Sequence, residues 1–158
     1  MALLQAGKLV EDPFVDASGA DAIPPSGPVI VSLEQWQKNR DALLGRGTLL
    51  GIRLHSDQSP EAIAADVQHF VLIALEFPKF RDGRAYSYAR LLRERYGFKG
   101  ELRAVGEVLM EQVFFMVRTG FDAFDLQQSP DPVAAFQTAL HDFSVWYQPT
   151  GDGIRALL

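Results

Sequence analysis

The sequence predicts an α/β domain of about five βα units with a mainly parallel sheet, built either as a partial (βα) barrel or as an open doubly wound sheet, behind a small N-terminal hairpin. Three observations carry this. Short apolar runs (Val29 to Val31, Leu49 to Leu54, Val71 to Phe77, Leu102 to Gly106 and Ala123 to Leu126) recur along the chain, and segments of helical period separate them. The spacing between runs, roughly 20 to 30 residues, is that of strand and crossover helix in parallel sheets. The third run, Val71 to Phe77, is the most apolar and reads as a strand buried on both faces. Strand order is not legible from these features, so both topologies stay open. The junction Thr119-Gly120-Phe121-Asp122-Ala123-Phe124 is of a kind common in barrels and inclines the reading slightly that way.

In chain order, Leu3-Leu4 and Leu9-Val10 flank Gln5 to Lys8 as the arms of a hairpin, which Pro13 ends. Asp16 to Pro28, rich in Gly, Ala, Ser, Asp and Pro, reads as a linker, so residues 1–27 are expected as hairpin and linker and 28–158 as a single α/β domain. After the first strand, Ser32 caps a helix that runs to about Leu44, because its hydroxyl can accept from a free first-turn amide. Ser59-Pro60-Glu61 signals a second helix, with Ile63, Val67 and Phe70 on one face. A third is expected over Gly83 to Tyr96 before Gly97, and a fourth over Glu107 to Thr119, with Leu109, Val113, Met116 and Val117 facing in. A fifth starts at Ser129-Pro130-Asp131-Pro132 and buries Val133, Phe136, Leu140 and Phe143, with Trp146 and Tyr147 plugging an apolar end.

Composition excludes several chemistries. The 158 residues contain no cysteine, which removes disulfides, thiolate-held zinc, iron–sulfur clusters and a catalytic thiol together. His55, His69 and His141 lie at no ligand spacing, so no metal and no cofactor are expected. The longest apolar run is too short to span a bilayer, and the first eight residues lack the basic and apolar regions of a signal peptide; the expectation is a cytoplasmic protein off the membrane. A formal net charge of -5 argues against nucleic-acid binding. Yet residues 79–103 hold eight Lys or Arg against three acids, leaving the rest of the chain strongly acidic. Such asymmetry fits a basic face for an anion or an acidic protein partner, or an ordinary solvated helix face.

Parallel sheets bind ligands at the carboxyl ends of their strands. The third such loop, Glu76 to Arg84, is the richest. Glu76 closes an apolar strand, where desolvation favours a general acid/base. Arg53 and Arg103 sit in neighbouring strands and need carboxylates, so a purely structural Glu76, Arg53 and Arg103 network is the competing reading. Asp82-Gly83-Arg84 enters a helix: Asp82 can cap, Gly83 can admit an anion to the backbone, and Arg84 can clamp it. Lys79 and Arg103 complete the candidate anion-binding set, and Glu107 is a possible second acid; Glu107 and Glu111 equally suit a helix first turn. Phosphate-loop, nucleophile-elbow and dinucleotide signatures are missing.

The residues Phe77-Pro78-x-Phe80-x-Asp82-Gly83-Arg84-x-Tyr86-Ser87, Leu92-Arg93, Gly97-Phe98-x-Gly100-Glu101-Leu102-Arg103-Ala104-x-Gly106, Gln112 and Gly120-Phe121-Asp122-Ala123-Phe124 resemble a bacterial family, domain of unknown function nine-three-four. Its members are typically encoded beside assimilatory sulfite reductase and phosphoadenylylsulfate reductase. The chain departs from the family pattern with Glu107 and Glu111 in place of Asp and Thr119 where Cys is frequent, which removes any thiol chemistry there. The resemblance implies a role in sulfate assimilation and supplies no catalytic residue. Both neighbouring reductases need a cluster-holding or reactive thiol, so this chain is neither. The expectation is a non-redox accessory protein that binds a small oxyanion or docks on sulfite reductase or its electron donor through Arg90, Arg93 and Arg95. The alternatives are a small enzyme using Glu76 on an anionic metabolite held by Arg84 and Arg103, or a scaffold without a ligand. The sequence leaves oligomeric state open.

Overall fold

The structure, a computed structural model, describes residues 3–5, 8–78, 83–109, 112–126, 134 and 137. One eight-stranded sheet holds β1 (Leu3–Gln5), β2 (Lys8–Val10), β3 (Val15–Asp16), β4 (Val29–Ser32), β5 (Leu50–Leu54), β6 (Leu72–Phe77), β7 (Glu101–Gly106) and β8 (Ala123–Asp125). Its order is β2-β1-β8-β7-β6-β5-β4-β3. From β3 to β8 every neighbouring pair is parallel and follows chain order; the β1–β2 hairpin adds antiparallel to β8. A doubly wound sheet would reverse its order at a switch point. None occurs here, so the partial barrel is the form observed.

The short connection between the sheet's edges fits only a curled form. Laid flat, eight strands about 4.8 Å apart would span about 34 Å. The two edges, β2 and β3, are joined by only Glu11 to Phe14, and five Cα steps reach at most about 18 Å. The edges must therefore approach, and this four-residue strap crosses the open side of the half-barrel. What reads in sequence as the end of a hairpin and the start of a linker thus supplies the strap and an edge strand.

The faces divide by parity. Val29, Val31, Ile52, Leu54, Ile73, Leu75, Leu102, Ala104, Phe124 and Leu4 form the main core with the helices. The opposite, concave face carries Ile30, Leu72, Ala74 and Val105, against which Phe14 of the strap packs. Ser32 caps helix α1 (Leu33–Leu44) as expected, in a reciprocal box with Gln35. The second expected helix is replaced by two short 3-10 turns, Pro60–Ile63 and Val67–His69. Asp66 between them adopts a non-helical backbone, and its carboxylate is taken by Trp36 Nε1 and Arg40. Those tertiary bonds outweigh the local helical period.

Helix α2 (Arg84–Arg90) continues as a π-helical turn, Leu91–Arg95. Helix α3 starts at Val113, not Glu107, and ends at Thr119. Its expected first turn is drawn off by β6: the Glu107 amide donates to the Phe77 carbonyl at 2.7 Å, and Gly106 turns there with φ +84°. Leu109 is accordingly exposed. The fifth expected helix lies outside the described residues apart from 134 and 137, so five complete βα units are not established. Among the described residues no helix is long and apolar enough to cross a membrane.

Candidate functional site

Register alone assembles the charged groups of the concave face. Ser32, Arg53, Ala74, Arg103 and Ala123 stand side by side across β4 to β8, so both arginines project into the half-barrel with a small alanine between them. Glu76 lies two residues further along β6, at the carboxyl end, beside Val105.

Around Arg53, the expected pairing with Glu76 is present. Arg53 Nε and Nη2 each lie 3.1 Å from Glu76 Oε2, and His55 Nδ1 lies 3.0 Å from the same oxygen. A carboxylate accepts, so Nδ1 carries the proton shared by the pair. Reciprocal bonds between Gln58 and the His55 backbone hold this loop, and Tyr88 of α2 donates its hydroxyl to the Ser56 carbonyl at 3.0 Å. The remaining end of Arg53, Nη1, meets Asp16 of β3 at 3.1 Å. Burial pushes the Asp16 carboxyl upward, but the Ser18 hydroxyl and amide together with Arg53 outweigh it and hold the group below its ordinary value.

Arg103 belongs to a second cluster. It is 3% exposed; Nη1 and Nη2 hold both oxygens of Asp12 at 2.7 and 3.3 Å, and Nε holds Glu101 at 2.7 Å, which also accepts from Gln5. Burial works against the guanidinium charge, but Asp12 and Glu101 outweigh it and raise its proton affinity. It therefore stays charged. The network with Glu76 holds for Arg53 but does not extend to Arg103. Two guanidiniums face four carboxylates here (Asp12, Asp16, Glu76 and Glu101), so the face as it stands has no positive surplus to draw in an anion.

Arg84 is exposed at the first position of α2, next to the exposed Gly83. Glu107 is half-buried at the turn after β7. Lys79 and Asp82, like Glu111, lie outside the described residues. Sequence reasoning missed His55 as the partner of Glu76, and Asp12, Asp16 and Glu101 as the partners of the arginines. For His55 a signal existed, since it stands two residues after Arg53 and so shares its face.

The basic segment resolves into inward and outward groups. Arg93, grouped by sequence with a docking face, points inward: it donates to the carbonyls of Phe98, Gly100 and Gly120 and reaches Asp122 at 3.4 Å. Arg84, Arg90, Arg95, Lys99 and Arg118 remain exposed. Between α2 and α3 runs a groove of about 580 Å³, lined by Tyr86, Arg90, Gln112, Phe115, Arg118 and Thr119 among others. Phe115 is 52% exposed. The groove thus combines two arginines with aromatic surface, the pairing enriched at protein-binding hot spots. Among the described residues no group of three or more metal-ligating side chains occurs.

A family model described as "Bacterial protein of unknown function (DUF934)" matches residues 51–158. No curated protein matches the sequence. The matched region takes in Arg53, His55, Glu76, Arg103 and the groove between α2 and α3, whereas Asp12 and Asp16 precede it.

Proposed function

The chain belongs to the DUF934 family of bacterial proteins of unknown function, and from that premise we propose that it is an accessory protein of assimilatory sulfite reduction that docks on an acidic surface of sulfite reductase or of its electron donor. The observation that carries this reading is the groove between α2 and α3, where Arg90 and Arg118 flank the exposed Phe115. Two exposed arginines beside an aromatic anchor suit an acidic protein surface: the charges speed and orient encounter, and the ring supplies desolvated contact. The pathway comes from the family's typical gene neighbours, and the absence of thiols assigns the redox steps to the partner.

The test is capture from a lysate of sulfate-grown cells. Wild type is expected to retain the reductase or its donor, less so as salt rises, while the double substitution Arg90→Glu with Arg118→Glu lowers recovery by about tenfold or more. Undiminished recovery by that variant counts against this face.

A second reading has its own observation. The His55–Glu76 pair, oriented by Arg53, is a proton-transfer arrangement at the carboxyl end of the strands, where half-barrels of this type carry their chemistry. On this reading the protein is a small enzyme acting on an anionic metabolite, with Glu76 and His55 as acid/base partners. Loss of sulfate-dependent growth with His55→Gln, at unaltered partner capture, would favour it over docking alone.

A further inference from the structure

We propose that the concave face between Arg53 and Arg103 is a binding site for a doubly charged oxyanion, whose place Asp12 of the strap and Asp16 of the adjoining β3 take as built-in substitutes. The two arginines share one row of the sheet with only Ala74 of β6 between them, so no bulky sheet side chain divides their guanidiniums. Phe14 of the strap packs on the apolar cluster of this face, Ile30, Leu72, Ala74 and Val105. Each arginine keeps a permanent partner from the sheet: Glu76 on Nε and Nη2 of Arg53, and Glu101 on Nε of Arg103. The carboxylates of β3 and the strap take the other ends, Asp16 on Nη1 of Arg53 and Asp12 on Nη1 and Nη2 of Arg103.

Lifting the strap therefore frees guanidinium N–H groups on both sides of Ala74, together with the apolar patch that Phe14 covers. Such forks match the oxygens of sulfate, sulfite or phosphate. One dianion replaces two carboxylates without changing the total charge, so the exchange avoids the cost of an unpaired buried arginine. The strap is suited to leave. It is held at one end by two-residue β3, an edge strand whose flanking amides, Val15 and Ala17, bond the carbonyls of Pro28 and Ile30, and edge strands open at low cost. This site is independent of the docking groove and shares Arg53 with the proton-transfer pair.

The full-length chain carries the test, with sodium sulfate and sodium phosphate as probes against sodium chloride at matched ionic strength. Asp12→Asn with Asp16→Asn vacates the substitutes. That variant is expected to gain a saturable rise in melting temperature with sulfate or phosphate, about 5–11 °C at a hundredfold excess over the dissociation constant. Adding Arg53→Gln should abolish the rise. In wild type, sulfate should speed hydrogen exchange at the Val15 and Ala17 amides several-fold over chloride while β6 stays protected. Phe14→Ala, which leaves every charge in place, should sharpen that response. A folded double variant with no sulfate-specific rise, a rise matched by chloride, or a rise that survives Arg53→Gln overturns the proposal. If the double variant does not fold, unchanged Val15 and Ala17 exchange in both wild type and Phe14→Ala overturns it equally.

Discussion

At the scale of single residues, Arg93 shows how a charge that reads as surface becomes structural. Its guanidinium donates to three carbonyls belonging to the chain before β7 and to the turn after α3, so one planar fork ties three segments together. A lysine cannot reproduce this, since its ammonium is a point donor. Arg93→Lys is expected to cost roughly 2–4 kcal/mol, because buried carbonyls lose charge-assisted partners, and to lower the melting temperature by about 5–15 °C; a thermal unfolding curve within a degree of wild type would show the fork to be dispensable. Some of this residue-level organisation was legible and some was not. Arg53 with Glu76 could be anticipated because the strands of consecutive βα units usually lie side by side, and each residue needs a partner of opposite charge. Arg103 with Asp12 could not: 91 residues separate them, and nothing local in Glu11-Asp12-Pro13-Phe14 marks it as a segment that crosses a barrel. Arg93 misleads for a related reason, since arginine on an amphipathic helix buries or exposes its head according to tertiary partners that helical period does not record.

At the scale of elements, the boundaries that shifted are those where a long-range hydrogen bond competes with local propensity. The caps of α1 and the five parallel strands were legible, being set by side chains within a few residues; the start of α3 was not, because Phe77 draws the chain after β7 into a turn. Gly106 makes that turn possible. Its φ of +84° is strained for any other residue, and a Cβ there would fall on the Phe77 carbonyl oxygen. Gly106→Ala should therefore cost about 2–3 kcal/mol and disturb the Glu107 loop, seen as faster exchange of the Glu107 amide than of β7 itself. The edge strand β3 carries a pH dependence of definite sign. The folded Asp16 carboxyl lies below its ordinary value, so its charge contributes stability above the unfolded value near 4, and that contribution disappears as pH falls through the depressed folded value. Asp122 works the other way: burial lifts its carboxyl despite the nearby Arg93, so acidification relieves a cost there. Global unfolding mixes the two, but exchange at Val15 and Ala17 separates them. Protection of these amides should fall in acid below about pH 4 in wild type and show no such step in Asp16→Asn.

At the scale of the whole molecule, the strap decides whether the sheet stays curled. Chain order brings β2 and β3 to opposite edges, and the strap alone connects them. Two physical causes could hold the edges together: the short connection itself, or the side chains it carries. Magnitudes separate them. Doubling the strap from four residues to eight by a Gly-Ser insertion after Glu11 adds only about 0.6 kcal/mol of loop-closure entropy. Phe14 is half-buried on four apolar residues of the concave face, and truncating it should cost roughly 2 kcal/mol, less than a fully buried phenylalanine. Side-chain docking is thus the larger effect. The lengthened chain should melt within about 1–3 °C of wild type and Phe14→Ala about 4–8 °C below it. Leu4, fully buried opposite Phe124 where the hairpin joins β8, provides the calibration: Leu4→Ala damages the other side of the same closure by about 2–4 kcal/mol without touching the strap. Should the insertion prove as damaging as Phe14→Ala, the curl would be set by the length of the connection, and the strap's aromatic and acidic residues would be passengers on it.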